Sequence, residues 1–450
     1  MSTRFSSRGT TSSGLAISLA LIVLSAFVAV SSRAILSPLQ ELMKVDLGAS
    51  DNEIALLQGL ALALPLAFLS LPIGRLIDRT NRSRLLFMLG LVCTLGSILT
   101  AFAHAFAVMF MARMLVGIAS TGMTMTALSI VADLSKPGTR GRLVMVIAFA
   151  QIFGAANSFI LAGPLLAWLP SALAAFPEVA HIAPWRLVQF VFAGVTGTLS
   201  FVLLLMKEPP RHEMGLAAGK ALRAALREIW SYRRILLPVL IGATTISMAD
   251  AAADIWAVPV LTRSFHLQPA DFGTWMGVVV LGAGIVGGAA GGILGDYCQR
   301  FIGRPGVLIA ALGAAVCSTV GAFYPLAPSV TGFALLFALF QAAGGCAGIA
   351  SAAGVALLVP NEVRGVCISI MGAVSVLVSH GIAPLLVSVT ASALNFGEQI
   401  SIPLTLTSFI TSVVGTVAFA IAIREATRAM RAMRAREVAG FSAEEASAAA

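Results

Sequence analysis

The sequence predicts an all-α polytopic membrane protein whose twelve transmembrane helices form two pseudo-symmetric six-helix bundles. Three observations carry that prediction. Charged residues make up 11% of the 450 residues and apolar ones 58%, against about 25% charged in a soluble domain, and the mean hydropathy is +0.95. Twelve apolar runs approach the roughly 20 residues that cross a bilayer as a helix. A charged motif also occurs twice, as GRLIDRTNRSR (Gly74 to Arg84) and GGILGDYCQRFIGR (Gly291 to Arg304), each time closing one apolar run and opening the next. Aligning Asp78 with Asp296 sets an offset at which PGTRGR (Pro137 to Arg142) and PNEVRG (Pro360 to Gly365) also fall nearly in register. Two independent landmarks at one offset point to an internal duplication.

The runs follow in order. The first, 14–36, comes after Arg4 and Arg8 and is longer than the apolar core of a signal peptide, so it reads as an uncleaved helix. Run 53–76 ends in the first charged motif, and 84–105 begins on its far side. Run 107–132 carries Arg113, and PGTRGR leads into 142–168, which holds Gln151 and Asn157. Trp185 heads run 186–206, and KEPPR (Lys207 to Arg211) closes it. Residues 207–234 form the longest hydrophilic stretch and divide the runs six and six, giving domains of 1–206 and 235–423 around a linker. Within the linker Leu222, Leu226 and Ile229 recur at helical spacing, with Lys220, Arg223 and Arg227 between them. That is the pattern of an amphipathic helix on a membrane surface, although a basic topology anchor explains the cations equally well.

In the second half, run 235–262 contains Asp250 and Asp254. Run 270–297 carries Gly284, Gly287, Gly288, Gly291, Gly292 and Gly295, a spacing that lets helix backbones approach closely in lipid, for static packing or for sliding. Runs 305–325 and 330–358 follow, the latter with Gln341. PNEVRG leads into 366–393, which holds His380, and 402–423 completes the set. The tail, 424–450, places Arg424, Arg428, Arg431 and Arg434 on one face and turns Ala-, Ser- and Glu-rich after Gly440, a composition that predicts disorder.

The placement of the basic residues decides what the net charge of +9 means. Of the 29 Lys and Arg, only Lys44, Arg186 and Arg263 lie on the side opposite the N-terminus, and Arg33 and Arg113 fall within spans. All the others share the side of the N-terminus, which puts both termini in the cytoplasm. The charge is thus a topology signal and an attraction to anionic lipid, not to nucleic acid. Five cysteines without paired spacing support neither a disulfide framework nor a metal site, and no cofactor is expected.

These residues carry a resemblance. Over essentially its whole length the chain resembles the major facilitator superfamily of transporters, from the six-plus-six runs and from the Gly-x3-Asp-Arg signature at Gly74, Asp78 and Arg79, with Arg82 and Arg84 following. Within it the chain is similar to the spinster-like branch, from LPIGRLIDRTNRSRLL, Trp185–Arg186 and KEPPR. The resemblance implies that Asp78 with Arg82, and Asp296 with Arg300, latch the cytoplasmic side, with the helix starts at Arg364–Gly365 and Arg140–Gly141 as partners in the opposite half and Asp133 joining the first network. An aspartate near a helix N-terminus is favoured by the dipole and can pair with guanidinium groups. A solvated turn obeying the positive-inside rule would explain the arginines but not two aspartates at one offset. Relatives of this branch often carry an Asp–Arg pair in the first span and a Glu after the glycines of the fourth, both linked to proton coupling. Here Ser32–Arg33 and Ser120 stand there. Arg113 matches the family's fourth-span arginine, with Val116 where antiporters often have Gln, and Gly163–Pro164 falls short of the drug antiporter signature.

The seventh run supplies acids instead. Asp250 and Asp254 lie four apart, on one helix face, in an apolar stretch where charge is costly unless it meets a cavity or a partner. Their mutual repulsion makes the pair a candidate proton carrier, and the offset that aligns the halves carries Arg33 to their neighbourhood. A static charge-neutralising pair is the competing reading. Gln151, Asn157, Gln341 and His380 are further candidates to line the cavity, or simply to bond a neighbouring helix.

The expected protein is a monomeric secondary transporter of a bacterial inner membrane, working by rocking of its two halves. No phosphate-binding loop motif points to ATP, so a proton gradient is the expected drive. Arg33 and Arg113 favour a small organic anion as substrate. Two readings stay open: efflux of amphipathic drug or lipid-like compounds, and a non-transporting sensor on the same scaffold. Nothing in the sequence marks an enzyme.

Overall fold

The computed structural model describes residues 12–135, 139–176, 181–206, 208, 222–303 and 305–448. Among the described residues every regular element is helical, and twelve helical segments are long and apolar enough to cross a membrane, one for each apolar run.

Span one is built from α1 (Ser12–Ala34) and α2 (Leu36–Leu47). The break falls at Ile35 because Pro38 has no N–H for the Ala34 carbonyl and its ring crowds that oxygen. Span two starts at α3 (Asp51–Ala55), where Ser50 and Glu53 form a capping box. It passes through a single π turn (Leu56–Leu60) and continues as α4 (Ala61–Arg79). The π turn places Gln58 against Gln40 of α2 as a buried amide pair, a local irregularity of the kind often kept at functional sites. Next come α5 (Arg82–Phe102), α6 (Phe106–Leu134), α7 (Arg140–Ala172) and α8 (Pro184–Val202).

The short α9 (Leu222–Ser231) precedes α10 (Arg233–Arg263), α11 (Pro269–Ile302) and α12 (Gly306–Gly321). A single 3₁₀ turn, Tyr324–Leu326, leads to α13 (Val330–Leu358), α14 (Asn361–Ala393) and α15 (Ser401–Ala448). The predicted amphipathic helix is α9. Its Ile229 packs against the buried cluster of Leu236, Val363 and Ala422, whereas Trp230 is exposed. The tail departs from expectation: α15 runs on through Gly440 to Ala448, because Ala, Arg and Glu are strong helix formers and no proline interrupts them.

The chain forms two compact units, Met1–Leu216 with His266–Leu281, and Ala217–Phe265 with Gly282–Ala450. Their internal packing repeats. In the first, α1 packs on α6, α7 and α8, and α5 on α6 and α8; in the second, α10 packs on α13, α14 and α15, and α12 on α13 and α15. Helix for helix these are the same neighbours at the duplication offset. Ile22, Ala26, Leu86, Met123 and Ile130 centre one core of the first unit, and Ile35, Leu39, Trp185 and Val188 another. Ile246, Ala311, Ala347 and Phe419 centre the second unit. The glycines of α11 are not equivalent. A Cβ on Gly291 would lie 2.8 Å from the Cys346 carbonyl of α13, while one on Gly292 would meet nothing within 4 Å.

Candidate functional site

Each unit holds a polar cluster within its spans that includes candidate residues read from the sequence. In the first, the break after α1 sets Arg33 at the end of a helix, with its side chain exposed. Arg113 on α6 is completely buried, and its Nη2 donates to the Arg33 carbonyl at 2.9 Å. Arg113 Nε and Nη1 have no hydrogen-bond partner. A buried guanidinium with two unused donors is costly, at about 1–3 kcal/mol for each unmet bond, and such a group is primed for an acceptor. The two serines standing where relatives carry acids are engaged locally. Ser32 Oγ shares a hydrogen bond with Thr196 Oγ1 at 2.8 Å, and Ser120 Oγ donates to the Gly117 carbonyl at 3.3 Å. On α7, Gln151 Nε2 donates to Thr124 Oγ1 at 3.2 Å, and Asn157 is half-buried.

In the second unit, α10 and α13 bring together Asp250, Asp254 and Gln341. Gln341 Nε2 donates to Asp254 Oδ1 at 3.2 Å. Asp250 lies directly over Gly344, where any side chain would overlap its carboxylate, and its Oδ1 is buried without a partner. Tyr324, buried against Phe340, the neighbour of Gln341 on α13, was not singled out from the sequence. On α14, His380 Nδ1 shares a hydrogen bond with Ser379 Oγ at 2.9 Å. Nearby, Trp256 Nε1 of α10 reaches the Pro384 carbonyl at 3.0 Å and ties α10 to α14.

The charged turns differ between the halves. In the first, Asn81 caps α5 by accepting from the Arg84 N–H at 2.9 Å. This sets Arg82 in the first helical turn, facing inward. Arg82 forms ion pairs with Asp133 and with Glu208, the latter at 3.0 Å, and Glu208 also accepts from the Ser83 N–H at 3.1 Å. Glu208, inside the KEPPR segment, is a member the sequence reading missed. Asp78 and Arg79 are exposed, and Gly74 has open space where a Cβ would stand. In the second half Asp296 and Arg300 are exposed and form no ion pair with each other. Arg364 Nη2 donates to the Val359 carbonyl at 3.3 Å, at the end of α13. The side chain of Arg140 lies outside the described residues. Ser351 occupies the place of Asp133 at the duplication offset, so the second turn has no matching acid.

A second network of the first unit also escaped the sequence reading. Arg186 donates to Asp46 at 2.9 Å and to the Ala101 carbonyl at 2.7 Å, and stacks 4.6 Å above Trp185, whose Nε1 donates to the same Asp46 oxygen at 3.1 Å.

Twelve apolar helices, two units with repeated packing, and ionisable side chains set inside the spans define an internally duplicated polytopic membrane protein, an architecture shared by many transporter folds. The chain belongs to the Major Facilitator Superfamily, whose sequence profile matches residues 22–384. It is 24% identical over 298 residues to a protein of Cupriavidus pinatubonensis described as a probable 4-methylmuconolactone transporter, a match that spans 65% of each chain. In fold it is similar to a bacterial homologue of the human lysosomal transporter Spinster. The inward-facing, unoccupied crystal structure of that protein aligns with TM-score 0.79 at 18% identity, over 93% of this chain and 98% of that one. The nucleoside transporter NupG aligns with TM-score 0.69 at 12% identity, over 90% and 99%.

Proposed function

We propose that the protein is a proton-coupled secondary transporter of a small organic anion, working by alternating access in a bacterial inner membrane with both termini in the cytoplasm. The observation that carries this reading is Arg113. Its buried Nε and Nη1 donors have no protein acceptor, and a solute carboxylate or similar oxygen acceptor supplies what they lack. Arg33, exposed beside it, adds a second cation, with Gln151 and Asn157 on the neighbouring α7. The lactone in the description of the Cupriavidus relative is a small, oxygen-bearing solute, which supports this reading. Coupling falls to Asp250 and Asp254, with Gln341 bonded to Asp254 and His380 on the adjacent α14, since an intramembrane acid pair can gain and lose a proton as its surroundings change. Gating falls to the charged turns: Gly74, Asp78, Arg79, Arg82, Asp133 and Arg140 in the first half, and Asp296, Arg300 and Arg364 in the second.

Uptake of small organic acids and lactones, 4-methylmuconolactone among them, into proteoliposomes tests the reading. An inward proton gradient should drive accumulation that a protonophore abolishes. Accumulation indifferent to the gradient would remove the coupling assignment. Reporter fusions after residues 215 and 440 should both report cytoplasm, and an external signal at either would overturn the topology.

A further inference from the structure

Tyr324 is fully buried, and its ring is caged by Phe333, Phe337 and Phe340, with centroid separations of 5.2, 5.2 and 5.5 Å. The cage needs only the ring, and phenylalanine would fill it. The hydroxyl has no hydrogen-bond partner, and Phe340, against which the ring packs, is followed on α13 by Gln341, the residue that bonds Asp254. Asp250 Oδ1, over Gly344 of the same helix α13, is a buried acceptor without a donor. One helix holds all three groups. Phe340 of α13 packs on Tyr324, Gln341 bonds Asp254, and Gly344, one turn on, underlies Asp250. A buried donor and a buried acceptor, both unpartnered in one cluster, have a use in a protein whose carboxylates change protonation state.

We propose that Tyr324 is a positioning residue for the coupling proton: its hydroxyl donates to the ionised Asp250–Asp254 pair once the proton has left for water, and is released when a carboxyl takes the proton up again. The inference rests on the coupling role given to that pair. No covalent bond changes beyond the O–H of the carboxyl. The other elements packed on α10 bring few titratable groups to its spanning part: Cys346 on α13, His380 and Cys367 on α14, and none on α15 between Ser401 and Ile423. The hydroxyl is the neutral donor that can answer a charge there without adding one.

The test needs no solute, because the probe is the proton. Infrared absorption of the protonated carboxyl group is followed against pH in the reconstituted full chain, for wild type, Tyr324→Phe, and Asp250→Asn/Asp254→Asn as the assignment control. A hydrogen bond to an ionised group favours that form, so losing it should move the midpoint of the band assigned to the pair to more alkaline pH, by about one unit. Tyr324→Phe keeps the ring in its cage, and a simple packing role would leave the midpoint where it was. An unchanged midpoint overturns the proposal. If the double variant removes no carboxyl band, the coupling reading itself falls and this proposal with it.

Discussion

Arg82 and Asp133 form an ion pair with side chains only 3% and 6% exposed, although the signature motif that contains Arg82 reads as a surface turn. Glu208 completes the enclosure from the end of the sixth span. The turn therefore has an inner and an outer part. Arg82 is built into the helix ends, while Asp78 and Arg79 remain on the surface.

The two parts should respond differently to substitution. Removing a partner that leaves a buried charge uncompensated costs about 3–5 kcal/mol; Arg82 keeps Glu208 when Asp133 is lost, so Asp133→Ala should lower the unfolding temperature of the purified protein by less than that full cost. Asp78→Asn, at an exposed position, should leave that temperature nearly unchanged and slow transport by tipping a conformational equilibrium. Thermal unfolding in detergent and initial uptake rates check both. Wild-type transport in Asp78→Asn would reduce that residue to a solvated turn.

How much of this was legible in the sequence depended on the range of the signal. Hydropathy over some twenty residues found all twelve spans, and the duplication offset found both charged turns. Glu208 was missed because its partners, Arg82 and Ser83, are far away in sequence and no periodicity connects them. Asp46 was missed for the same reason, since the hydropathy pattern leaves it between runs although it belongs to α2, and its partner Arg186 is 140 positions on. Tyr324 gave no signal because an uncharged aromatic near a span end reads as part of an interfacial belt. The break at Ile35 was latent in Pro38, but a proline near the end of an apolar run does not say whether the helix stops or only bends.

The glycines of α11 allow a test of helix approach. Gly291→Ala puts a methyl group 2.8 Å from the Cys346 carbonyl, and overpacking of this kind costs about 1–3 kcal/mol. Gly292→Ala, facing open space, should be close to neutral. Comparable loss of stability in both variants would show that backbone conformation, not helix contact, governs this segment.

Asp250 and Asp254 differ in setting, and their joint neutralisation separates coupling from movement. Asp250→Asn/Asp254→Asn should abolish gradient-driven accumulation yet spare solute exchange, because exchange asks only that the loaded protein reorient. Gly344→Ala should reproduce part of this defect by displacing the Asp250 carboxylate that lies over it. Full accumulation in the double variant would return the pair to a structural role.

Arg113 yields the most pointed expectation, since stability and function should move in opposite directions. The guanidinium is fully buried, its only hydrogen bond is the one to the Arg33 carbonyl, and two of its nitrogens have no partner. Methionine fills similar volume, adapts to irregular space and carries no donors that go unmet. Arg113→Met loses one hydrogen bond, worth about 1 kcal/mol, and relieves two unmet donors at about 1–3 kcal/mol each. The net expectation is a protein more stable by about 1–5 kcal/mol in detergent that no longer binds solute. Such a trade is what a site kept for function predicts. Unfolding midpoints and equilibrium solute binding, measured on the same preparation, decide the matter. A less stable Arg113→Met that still bound solute would make the arginine a structural strut and leave the anion site to be sought elsewhere.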